Sequence, residues 1–216
     1  MTNLQKRILT SLFIFPLSIF FIMKGGYLLV FFLLVVFFVA NYELFSVFKK
    51  KRIILFLDFI LILALFSIYL LRDSSLVSFK LLIWFIILTI CSDVGGYIFG
   101  KVFKWKKLTK ISPKKTVSGL LGSIFLSLFS LFIVANVSLT SSLEIKYLEP
   151  KFFFLSIILS LTAQAGDLVL SYFKRLENIK DMGKILPGHG GIFDRIDGLI
   201  FVIILGYIFY TLNIIP

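Results

Sequence analysis

The chain has 216 residues, of which 59% are hydrophobic, 17% aromatic and only 16% charged, whereas soluble domains are about a quarter charged. This composition excludes an ordinary soluble domain and indicates a membrane protein folded as one compact bundle. The net charge of +12 needs no nucleic-acid partner, because membrane topology accounts for it, and the single cysteine, Cys91, cannot form an internal disulfide.

A helix needs roughly 20 mainly apolar residues to cross a bilayer. Seven segments meet that need, at about 8–23, 26–47, 53–71, 78–99, 117–138, 152–173 and 198–215. The expected fold is all-α: a polytopic bundle of about seven transmembrane helices forming one integral membrane domain over 1–216. The first segment is short and follows a brief basic stretch, as in a signal peptide. It lacks a small-residue cleavage site, and a second apolar span follows directly after Lys24-Gly25-Gly26, so it is read as a membrane helix.

The fourth span ends in TICSDVGGYIFGK. There Asp93 shares a helical face with Thr89, Gly96 and Gly100, and the Gly96-x-x-x-Gly100 pair permits close approach by another helix. Next comes KISPKKTVSGLLG, in which Ser112 suits an N-cap and Pro113 a first helical position, so the fifth helix is predicted to begin here. Lys114 and Lys115 would then oppose the helix dipole in the first turn. Two readings stay open: the lysines bind an anion at that terminus, or they merely flank a span. No P-loop pattern is present.

In the sixth span Ser160, Gln164, Asp167, Ser171, Lys174 and Asn178 recur at spacings of three and four, on one face. A carboxylate this far inside an apolar segment is costly unless it meets a cation, a metal or water. Asp167 with Lys174 therefore suggests a functional polar cavity. The following connection, KRLENIKDMGKILPGHGGIFDRID, supplies Asp181, Asp194 and Asp197 for a hard cation and Lys174, Arg175, Lys180, Lys184 and Arg195 for phosphate oxygens. Asp194 and Asp197 are three apart and can serve one site. His189 is the only histidine, which does not suit zinc.

Cytoplasmic connections are enriched in Lys and Arg. Sorted by connection, 18 of the 23 basic residues fall with the N-terminus and the second, fourth and sixth connections, and 5 fall on the other side. The alternation predicts a cytoplasmic N-terminus and puts the charged segments on the cytoplasmic face.

The run SYFKRLENIKDMGKILPGHGGIFDRIDG, Ser171 to Gly198, closely resembles the signature of phosphatidate cytidylyltransferases, the CDP-diacylglycerol synthases. Ala165-Gly166-Asp167-Leu168, Asp93-x-x-Gly-Tyr-x-x-Gly and Ser112-Pro-x-Lys-Thr are also similar to the family's segments. The resemblance covers about residues 85–200, the expected catalytic region. Spans within 1–84 precede it and a last span at 198–216 closes the domain.

The resemblance implies that CTP and phosphatidic acid give CDP-diacylglycerol and pyrophosphate in phospholipid biosynthesis, with Mg2+ and room for a second, monovalent cation. It implies a metal site at Asp167, Asp194 and Asp197, with Asp93 in the surrounding shell. Ser112, Lys114, Lys115 and Thr116 would hold CTP phosphates, and Lys174, Arg175 and Arg195 the lipid or pyrophosphate. Ser171, Lys184 and His189 would make further substrate contacts. It also implies a homodimer in the bilayer of a bacterial plasma (inner) membrane, with the active site on the cytoplasmic side. Asp167→Ala and Asp194→Ala are expected to abolish turnover in a folded protein.

Two departures from the family pattern stand out. Ser118 replaces an acidic or amide residue, and the 101–111 loop is shortened. Two alternatives remain at this point. One is a CTP-dependent enzyme acting on another lipid phosphate or a polyprenol. The other is an ion-coupled transporter, which also buries carboxylates in a bundle.

Overall fold

The computed structural model describes residues 3–138, 147–179, 181–183, 185–186 and 190–215. The described residues form seven helices: α1 (Asn3–Lys24), α2 (Gly26–Val47), α3 (Lys51–Asp73), α4 (Leu76–Phe103), α5 (Val117–Ser138), α6 (Pro150–Leu176) and α7 (Phe193–Thr211). Each overlaps one expected span. Helices α2 to α6 are long and apolar enough to cross a membrane, while α1 contributes a shorter apolar stretch, Leu12–Lys24. Helix α7 opens with Asp194, Arg195 and Asp197, three charges that interrupt its apolar run.

The outer surface is apolar, with Phe31, Phe38, Phe45, Phe59 and Phe66 all exposed. On a soluble protein such a surface would drive aggregation; in a bilayer it meets acyl chains. Inside, Trp84, Phe85, Leu131, Phe152, Leu159 and Val202 form one core. A second core unites α2, α3, α6 and α7 through Leu44, Leu57, Leu61, Leu170, Phe193 and Ile200.

Lipid gives helices little hydrophobic reason to associate, so contact depends on small residues and interhelical hydrogen bonds. Both are present. Helices α4 and α5 meet through Gly95, Gly96, Gly100, Gly119 and Gly122; a Cβ added to Gly119 would stand 2.8 Å from the Gly96 carbonyl oxygen. Helices α6 and α7 meet where a Cβ on Gly198 would stand 3.1 Å from the Ala163 carbonyl oxygen. The Ser92 and Ser160 hydroxyls, 3.1 Å apart, join α4 to α6. At the opposite end Arg72 caps the last carbonyls of α1, its Nη2 donating to Met23 O at 2.7 Å.

The start of the fifth helix corrects the sequence expectation. Helix α5 begins at Val117, and Ser112 and Pro113 lie in a preceding turn closed by Lys115 N–H donating to Ser112 O at 3.0 Å. Thr116 is the residue that caps it, its Oγ1 accepting the Gly119 N–H at 3.0 Å. Backbone bonds from Leu108 to Lys115 O and from Val117 to Lys106 O hold residues 106–117 as a short hairpin, and a helix begun at Pro113 would break both. Lys114 and Lys115 thus precede the first turn, and the Lys115 ammonium is paired with Asp167. Asn178 is likewise not on the α6 stripe. The helix ends at Leu176, and Asn178 has φ 57°, a left-handed conformation that terminates it.

Candidate active site

The polar groups gather where the C-terminal halves of α4 and α6 meet the beginnings of α5 and α7. Register fixes their depth. Ser92 opposes Ser160, and Gly96 lies near the Gln164 amide, so α4 and α6 run side by side at one consistent offset. Asp167 is then level with Phe99, six residues beyond Asp93, which places Asp93 about 9 Å deeper at ~1.5 Å per residue. Asp197 joins from α7 near the level of Asp167, its carbonyl lying against the adjacent Gly166. The carboxylates therefore form a column down the bundle.

Asp93 is exposed. It interacts electrostatically with Asp167, Lys115 and Arg195, and Asp197 with Asp167, Lys174 and Asp93. Asp167 is the hub. Its Oδ2 pairs with Lys115 Nζ at 2.7 Å, and its Oδ1 accepts the Ser171 hydroxyl at 3.2 Å. Lys115 also donates to the Gln164 carbonyl at 3.2 Å, so the α4–α5 loop reaches across to α6.

Asp194 has a different environment. Its Oδ1 pairs with Lys174 Nζ at 2.9 Å, and its Oδ2 accepts the N–H groups of Met182 at 2.7 Å and Gly191 at 2.9 Å. The two charged side chains are only 5% and 10% exposed. Gly190 has φ 88°, and a Cβ there would stand 2.8 Å from Asp194 Oδ2, so this glycine is required twice over.

The remaining expected residues are more peripheral. Arg175 is exposed and its Nη1 donates to Ile179 O at 3.0 Å, fixing the chain beyond α6. Arg195 is exposed and within electrostatic reach of Asp93. Ser112 is half-buried, with its N–H on Thr109 Oγ1, and Lys114 is exposed. Lys184 and His189 lie outside the described residues. Ser118 is buried, its hydroxyl 3.0 Å from Thr116 Oγ1 and accepting the Trp105 N–H at 3.4 Å. In place of an acidic or amide group it fastens the loop to the start of α5.

One buried acid escaped the sequence reading. Glu43 of α2 accepts the Ile192 N–H at 2.8 Å. A partial signal was available: a carboxylate inside an apolar span, four residues before α2 ends at Val47.

Among the described residues, no three His, Cys, Asp or Glu side chains converge as a metal cage. Mg2+ does not need one, since it is commonly held by one or two carboxylates with substrate phosphates and waters completing the shell. Asp167 and Asp197, hard oxygen donors with like charge at close quarters, fit that pattern. Asp194 differs from Asp167 in enclosure: its side chain is 5% exposed and its oxygens hold Lys174 and two backbone amides, whereas Asp167 is 31% exposed.

Residues 50–213 match the Cytidylyltransferase family. A phosphatidate cytidylyltransferase from Helicobacter pylori (strain ATCC 700392 / 26695) is 38% identical over 142 residues, 64% of this chain and 48% of that protein. One from Rickettsia prowazekii is 45% identical over 128 residues, 56% of this chain and 53% of its own length. One from Staphylococcus saprophyticus is 44% identical over 118 residues, 52% and 42% respectively. The chain spans about half the length of the curated relatives it matches. With three quarters of its residues inside the matched region, carboxylate column and loop included, this chain belongs to the cytidylyltransferase family.

Proposed function

We propose that the chain transfers the cytidylyl group of CTP to phosphatidate, giving CDP-diacylglycerol and pyrophosphate at the cytoplasmic face of the membrane. The observation that carries this reading is the meeting of Asp93, Asp167 and Asp197 with Lys115, Lys174 and Arg195 at one end of the bundle. The names of the relatives supply the substrates.

The chemistry asks little of a base. A phosphate oxygen of the lipid is already anionic; it attacks the α-phosphorus of CTP, and the bond from that phosphorus to the oxygen bridging the β-phosphate breaks. The barrier lies in bringing two anions together and in the charge that builds on leaving pyrophosphate. Lys115, Lys174 and Arg195 would orient and neutralise the phosphates, while Ser171 holds Asp167 in place. Asp167 and Asp197 are the residues that would hold Mg2+, which when bound would screen phosphate charge. The lipid chains can stay in the bilayer throughout, because the charged groups lie at the helix ends and the outer flanks of the helices are apolar.

The test is conversion of radiolabelled CTP into lipid-soluble product by purified protein in detergent, with phosphatidate and with or without Mg2+. Magnesium-dependent product that disappears in Asp167→Ala is the expected result. Folded protein that makes no product from phosphatidate, but does so from a polyprenyl phosphate, would move the assignment to a neighbouring acceptor.

A further inference from the structure

Glu43 lies outside the 50–213 segment that matches the family, yet it touches the signature loop. The side chain is 1% exposed. Its Oε2 accepts the Ile192 N–H at 2.8 Å, and the neighbouring Phe193 amide lies close to it. These are among the first amides of α7, which have no intrahelical partners, and Ile192 at the cap position offers no side-chain acceptor. Glu43 thus caps, from another helix, an end that its own sequence leaves uncapped.

The loop is shaped to receive it. A Cβ on Gly183 would stand 2.5 Å from Glu43 Oε1, and one on Gly191 would stand 2.5 Å from Oε2. Asp194 holds the same turn from the opposite side through Met182 and Gly191. Residues 191–193 are therefore clasped between two carboxylates, one on α7 and one on α2. Both glycines are explained by the space that Glu43 fills.

We propose that Glu43 is a positioning residue that fixes the beginning of α7, and with it the directions of Asp194, Arg195 and Asp197. It acts as a hydrogen-bond acceptor and touches no substrate. The activity arm of the test rests on the cytidylyltransferase reading; the labelling arm does not.

In a Cys91→Ser background, Ile185→Cys reports on the loop and Leu148→Cys on a distant connection; both positions are exposed. Maleimide labelling at 185 is expected to quicken at least fivefold in Glu43→Ala, with labelling at 148 unchanged. In Glu43→Gln, whose amide oxygen still accepts the Ile192 N–H, it should stay within twofold of the parent. With CTP, kcat should fall at least tenfold in Glu43→Ala, KM should stay within threefold, and Glu43→Gln should recover kcat to within threefold. Unchanged labelling and kcat in Glu43→Ala overturns the proposal, and so does equal acceleration at both positions. Should Glu43→Ala fail to accumulate, Gly183→Ala presses a methyl on Oε1 and must quicken labelling at 185 alone; an unchanged rate also overturns it. If the parent protein turns over no CTP, the labelling still decides the role of Glu43, and only the proposed activity falls.

Discussion

Asp167 and Asp194 each pair with a lysine, and the two pairs differ in what depends on them. The Lys115–Asp167 pair is 15% and 31% exposed, and Lys115 keeps a second acceptor in the Gln164 carbonyl. Such partly exposed pairs contribute about 0–1 kcal/mol. Lys174–Asp194 is far more enclosed, and Asp194 also satisfies two backbone amides. Breaking a buried pair by removing one partner costs about 3–5 kcal/mol. Asp167→Ala should therefore abolish CTP turnover with a melting temperature in detergent close to the parent's, whereas Asp194→Ala should lower the melting temperature markedly and lose activity with it. The sequence pointed to both aspartates but treated them as equivalent metal ligands that could be removed without unfolding. Spacing of three tells which side chains share a helical face. It does not tell that the loop before α7 folds back and turns the Met182 and Gly191 amides onto one of the two carboxylates.

The same limit operates for whole elements. The span boundaries were legible because length and apolarity decide them, and the α4–α5 contact was legible because Gly96 and Gly100 leave room for another backbone. The beginning of α5 was not. Ser112-Pro113 carries a strong helix-start signal, but the hairpin bonds of residues 106–117 are non-local and invisible to it. Stability measurements separate the two possible caps. Loss of an N-cap costs about 1 kcal/mol, so Thr116→Ala should lower the unfolding midpoint in detergent by the shift that this loss of free energy produces. Ser112→Ala should leave it within error. The opposite ranking would return the helix start to Ser112. Glu43 was missed for a related reason: its partner is 149 residues away, and no local pattern announces such a contact.

At the scale of the whole molecule, the bundle is polar at one end and apolar around its waist, and orientation in the membrane determines which solutes reach the polar end. Lys101, Lys104, Lys106, Lys107, Lys110 and Lys114 are all exposed on the connection between α4 and α5, and Lys or Arg in a short loop favours the cytoplasmic side. The cytosol is also where a nucleoside triphosphate is available. Lys107 and Leu148 lie on opposite sides if α5 crosses the bilayer, since they flank it. In spheroplasts with Cys91→Ser, a membrane-impermeant maleimide should label Leu148→Cys directly and Lys107→Cys only after the membrane is opened. The reverse pattern would put the carboxylate column outside, beyond the reach of cytosolic CTP, and the cytidylyltransferase reading would fail on access alone. Labelling of both positions in sealed spheroplasts would mean that α5 does not cross, and the bundle would have to be redrawn before any chemistry was assigned to it.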